Sequence, residues 1–149
     1  LALIAACFDA IQEDEVSMDV REKLLLASTL GGMVIANTGT TAVHAMGYSL
    51  TYYKDIDHGR ANGLLLPGFL AFIETRNKER VAEILACMHM TSVAEFAERI
   101  NALLGKRETL NAEEIEHYAE KASKAANIGN CLIRPEKDDL VGVLKACML

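Results

Sequence analysis

Tryptophan is absent from the 149 residues, proline occurs only twice, and no stretch concentrates Lys and Arg. Each shortage excludes something. With 15 Lys+Arg against 21 Asp+Glu, a net charge of −6 and no basic cluster, the chain lacks the surface that phosphate backbones require, which excludes nucleic acid as a partner. The apolar runs are interrupted too often for a membrane span, and a composition 51% apolar and 24% charged is too hydrophobic for a disordered chain. No C-x-x-C spacing links Cys7, Cys87, Cys131 and Cys147. Each lies in an apolar run and reads as a small buried hydrophobe, which suits a cytoplasmic protein. Also missing are G-x-G-x-x-G, the P-loop pattern and G-x-S-x-G, so the chain carries no recognisable phosphate cradle or nucleophile elbow.

What is present favours helix: Ala, Leu, Glu and Lys are abundant, and little proline interrupts them. The expected fold is all-α, a multi-helix bundle of about seven helices forming one domain over residues 1–149. The first helix is expected over residues 1–12, ending at the acidic run Glu13, Asp14, Glu15. It starts without Met, inside an apolar run and with no capping residue, so the chain reads as truncated at its N-terminus. A signal peptide is excluded, because no basic segment precedes the run. Ser17 can cap a long second helix. Its residues 24–36 are apolar nearly all round, which places them in the centre of the bundle. The pattern resumes over residues 42–46, followed by an expected loop over 47–57. Asp57 then caps a helix that Pro67 should kink. Further helices are expected near 79–89, 92–104, 112–126 and 137–148, with capping-box spacings at Ser92 with Glu95 and at Asn111 with Glu114.

Residues 44–67 hold the chemistry. His44 and His58, fourteen residues apart, flank a polar stretch between two apolar segments. If the stretch folds back, both imidazoles enter one cleft, and neutral imidazole is the commonest transition-metal ligand. Spacing alone favours a plainer reading. His44 is then a hydrogen-bonded core residue and His58 a helix-start residue beside Asp57, because two ligands do not complete the usual four. Tyr48, Tyr52 and Tyr53 crowd the same stretch and can shape a pocket rim. Glu113 and His117, four apart, share a helix face that reads as solvated. His89 between Met88 and Met90 reads as a helix-end packing residue, and Asp55 with Asp57 as carboxylates facing water.

The string HAMGYSL beginning at His44, followed by HGRANGLLLP beginning at His58, resembles the iron-containing (group III) alcohol dehydrogenases. Those enzymes carry His-Ala-x-Gly-His-x-Leu, a loop, then His-Gly-x-Ala-Asn-x-x-Leu-Leu-Pro, and the same fourteen-residue separation divides their third and fourth metal ligands. Residues 19–45 resemble the family's long central helix, and residues 128–148 its closing pattern. The resemblance implies an NAD(P)-dependent oxidoreductase interconverting alcohols with aldehydes or ketones. It implies Fe²⁺ or Zn²⁺ as the metal, with His44 and His58 as ligands. Tyr48 stands where many members have a second His, and so is the implied proton relay or pocket residue. No Asp-x-x-x-His pair for the remaining ligands occurs; Asp9 is followed at that spacing by Glu13. Those ligands and the nucleotide-binding domain are therefore expected upstream of Leu1, and the fragment alone is expected to be inactive. The implied partners are a small alcohol or aldehyde and NAD(P); composition gives no membrane partner, and apolar surface left by a missing domain would allow self-association into a homo-oligomer. The competing expectation is a non-catalytic helical interaction module.

Overall fold

A computed structural model describes residues 1–13, 16–105 and 108–149. Asp14 and Glu15, in the acidic run expected to end the first helix, lie outside the described residues. Every regular element described is helical, as composition led one to expect. In chain order these are α1 (Ala2–Ala5), α2 (Phe8–Gln12), α3 (Met18–Thr38), α4 (Ala42–Lys54), α5 (His58–Glu74), α6 (Lys78–Cys87), α7 (Val93–Leu104), α8 (Ala112–Ser123), a 3₁₀ turn (Ala126–Asn130) and α9 (Lys137–Met148).

Side-chain caps fix several helix starts. Ser17 Oγ accepts from Val20 N–H, Asn77 Oδ1 from Arg80 N–H and Ser92 Oγ from Glu95 N–H, so each satisfies a backbone donor that the first turn leaves free. Asn111 and Glu114 form the full reciprocal box. Glu95 does not close its box on Ser92; its carboxylate accepts instead from Thr91 N–H and Thr91 Oγ–H.

The expected first helix is two. The chain turns at Ala6 and Cys7, which delivers Cys7 and Phe8 to the interior. The helix expected to reach residue 126 ends at Ser123, and the 3₁₀ turn takes over from Ala126. α5 runs through Pro67 without a break.

Among the described residues two apolar clusters make the core. In the larger, Met46 and Leu50 of α4, Leu65 of α5, Ile115 of α8 and Leu140 and Leu144 of α9 are fully buried. The smaller joins Phe8 of α2, Val81 and Leu85 of α6, Met88 and Met90 of the turn that follows it, and Phe96 of α7; Ile73 of α5 packs against both clusters. α5 is thus the shared wall. At Gly68 it meets α9 so closely that a Cβ would stand 2.5 Å from Cys147 Sγ and 3.2 Å from the Val143 carbonyl oxygen.

α3 overturns the expectation of a central helix. None of its residues is buried, and Leu25, Leu26, Leu30, Met33, Val34 and Ile35 are all exposed. Its packing among the described residues is chiefly against the single turn of α1, too short to cover a helix of 21 residues. No helix among the described residues is long and apolar enough to cross a membrane. The cysteines divide: Cys7 and Cys147 are buried as expected, Cys131 is half-buried, and Cys87 is exposed on the outer face of α6.

Candidate metal centre

The stretch 47–57, expected as a loop, is mostly helix. α4 continues from Gly47 to Lys54, because Gly47, Ser49 and Leu50 lie on its buried face and the Lys54–Glu114 ion pair ties its end to α8. Asp55, with φ 53°, ends the helix in the left-handed conformation that Asp tolerates better than most residues. Three residues then reverse the chain, and α5 starts at His58. Asp57 occupies the cap position without a side-chain cap bond. Arg60 fastens this first turn to the end of α7. Its guanidinium donates from Nε and NH2 to Glu108 at 2.8 and 3.0 Å, and from NH1 to the Leu104 carbonyl at 2.5 Å. Such a bidentate fork fixes direction as well as distance.

The helix hairpin, rather than a folded loop, brings the two histidines together. Their ring centroids are 5.2 Å apart, and Tyr48, one turn after His44 on α4, lies nearly parallel to the His58 ring at 5.8 Å. His44 is half-buried. Desolvation, and secondly the nearby His58, hold its pKa below the ordinary imidazole value. His58 and Tyr48 are exposed at the mouth.

Sequence reasoning passed over two residues of this centre. Asn62, one turn beyond His58, places its Nδ2 3.1 Å from His58 Nε2, while its Oδ1 is buried with no hydrogen-bond partner. That oxygen lies against Gly47, where any Cβ would collide with it. Both residues stand in the quoted motif strings, so the signal was present. What the strings do not say is that the two touch.

A divalent cation fits this donor set in part. Two adjacent imidazoles, one kept neutral by burial, supply half of an ordinary four-donor shell. Among the described residues no cluster of three or more His, Cys, Asp or Glu exists to complete it.

The lesser candidates stay apart. Glu113 and His117 are exposed, and His117 packs its ring edge on Tyr53 at 5.6 Å. All three tyrosines, Tyr48, Tyr52 and Tyr53, line one groove with Ser49 and Lys121, and Tyr53 also stacks on Tyr118 of α8 at 5.3 Å. Asp55 and Asp57 face solvent, as expected. His89 is exposed with φ 57° just past α6, and Met88 and Met90 do the packing assigned to it from sequence.

Over residues 1–148 the chain matches the family model described as Fe-containing alcohol dehydrogenase family, C-terminal. It is 36% identical over 72 residues to the 1,3-propanediol dehydrogenase of Klebsiella pneumoniae, a match spanning 48% of this chain and 19% of that enzyme. It is 34% identical over 83 residues to the probable alcohol dehydrogenase EutG of Escherichia coli, spanning 56% of this chain and 21% of the relative. Among solved structures, an iron-containing alcohol dehydrogenase from Thermotoga maritima superposes with a TM-score of 0.79 at 28% identity, over 98% of this chain and 42% of that one. The chain therefore spans under half the length of that structure.

Proposed function

Because the chain belongs to the Fe-containing alcohol dehydrogenase family, as its C-terminal part, we propose that it supplies the helical wall of a metal- and NAD(P)-dependent alcohol dehydrogenase. The reaction is hydride transfer between an alcohol carbon and a nicotinamide, giving an aldehyde or ketone. The observation that carries this reading is the pairing of His44 and His58 across the α4–α5 hairpin.

A bound Fe²⁺ or Zn²⁺ would supply Lewis acidity toward the substrate oxygen. His44 and His58 would hold it, and His44 is suited because its burial disfavours the proton that would compete for the same lone pair. Tyr48 stands at the exposed mouth against His58, where its hydroxyl can donate a hydrogen bond to a substrate oxygen. A phenolic O–H can both donate and accept, and donation is the role proposed for it here. The remaining ligands and the dinucleotide site would come from sequence outside these residues, so the 149-residue chain alone is expected to be inactive. NAD(P) and a small alcohol or aldehyde are the proposed partners, and the cytoplasm the proposed compartment.

The exposed apolar α3 favours a second reading, a helical interaction module without chemistry. Metal analysis of the polypeptide that carries this chain separates the two. His44→Ala and His58→Ala are each expected to cut bound iron or zinc by at least tenfold. Unchanged metal content in both variants would refute the ligand assignment and leave the module reading.

A further inference from the structure

We propose that Asn62 is a positioning residue that fixes the proton of neutral His58 on Nδ1, and that Gly47 sets the carboxamide orientation on which this depends. The chain of contacts runs across the helix crossing. One end of the Asn62 carboxamide is buried against Gly47 of α4, and the other lies 3.1 Å from His58 Nε2 on its own helix. The two ends are not equivalent at Gly47. A buried amide NH₂ there would press two unpaired donors against a Cα–H, the costlier arrangement, whereas the carboxamide oxygen can accept a weak contact from that Cα–H. Oxygen therefore faces Gly47, where it is buried without a stronger hydrogen-bond partner. Nδ2 must then face His58 and donate, because an amide nitrogen accepts nothing. An imidazole that accepts at Nε2 carries its proton on Nδ1, since the hydrogen bond made at one ring nitrogen sets the state of the other.

The glycine is what makes the device possible. Any side chain at position 47 would occupy the place of Asn62 Oδ1, displace the carboxamide and release His58. The consequence for metal binding rests on the proposed function above: His58 is kept with Nε2 unprotonated, so a cation there replaces an Asn62 N–H and need not expel a ring proton.

The test reads the tautomer directly on the metal-free, ¹⁵N-labelled 149-residue chain by long-range ¹H–¹⁵N correlation of the imidazole rings at about pH 8, where histidine is neutral. His58 is expected to show a protonated Nδ1 and a bare Nε2, whereas exposed His89 and His117, neither placed against Asn62, serve as references. Asn62→Ala should return His58 to the pattern of those references. Asn62→Asp, whose carboxylate only accepts, should move the proton to Nε2 and so invert the assignment, which a merely structural side chain would not do. Gly47→Ala should behave as Asn62→Ala; if it fails to fold, the Asp variant still decides. A wild-type proton on Nε2, or a His58 pattern unchanged by Asn62→Asp, overturns the proposal. Neither result touches the ligand assignment, which metal content of His58→Ala tests separately.

Discussion

Burial and the neighbouring His58 ring both act against a proton on His44, and this gives a pH effect a definite sign. The folded pKa lies below the ordinary imidazole value of about 6.5, so on acidification the unfolded chain binds its proton first. Stability is therefore full above about pH 6.5 and falls as pH drops from there toward the lowered native value. Urea midpoints measured across that window should decline, and His44→Gln should flatten the decline. The thiols make a second residue-scale contrast. Cys87 is exposed while Cys7 and Cys147 are buried, so a thiol reagent should label Cys87 in a fast native-state phase that Cys87→Ser abolishes. His44 and His58 were legible in the sequence because their spacing and neighbours form a recognisable string. The Asn62–Gly47 contact was not, since it joins residues on different helices and only their crossing brings them together.

At the scale of single elements, α4 shows where local signals mislead. Gly, Ser, Thr and Tyr over residues 47–53 are mediocre helix formers and read as a loop, yet the segment is helical because one of its faces is buried against α5 and α8. Tertiary packing outweighs propensity there. Leu50, fully buried, and Tyr52, 80% exposed, lie in that same segment and test the point. Leu50→Ala is expected to cost about 2–5 kcal/mol and Tyr52→Ala within about 0.5 kcal/mol, measured by chemical denaturation. Equal, small effects would restore the loop reading. The caps at Ser17 and Asn111 were correctly legible, because a cap is a local device whose partners sit three residues away. α3 was legible as a helix but not as an exposed one. Its apolar pattern records that something is to cover it and carries no information on where that cover lies.

For the molecule as a whole, composition sufficed for the all-α class, and the motif sufficed for the family. Neither could arrange the nine α-helices of the described residues around their two clusters, because that arrangement depends on long-range contacts such as Arg60 to Glu108 and Gly68 to Cys147. The uncovered α3 has a bulk consequence. A contiguous apolar surface of this kind associates in water, so the 149-residue chain should show concentration-dependent self-association in sedimentation experiments, weakened by Leu26→Lys with Met33→Glu. A strictly monomeric chain at all concentrations would contradict this. The bare backbone at Gly68 gives α5 the mechanics of a rod resting on a fulcrum. At one point its spine bears on α9, and about 15 Å away, ten residues along, its first turn, held to the end of α7 by Arg60, carries His58. A methyl group added at position 68 lifts the rod at its bearing, and the displacement is delivered to the gap between two imidazoles that the methyl never touches.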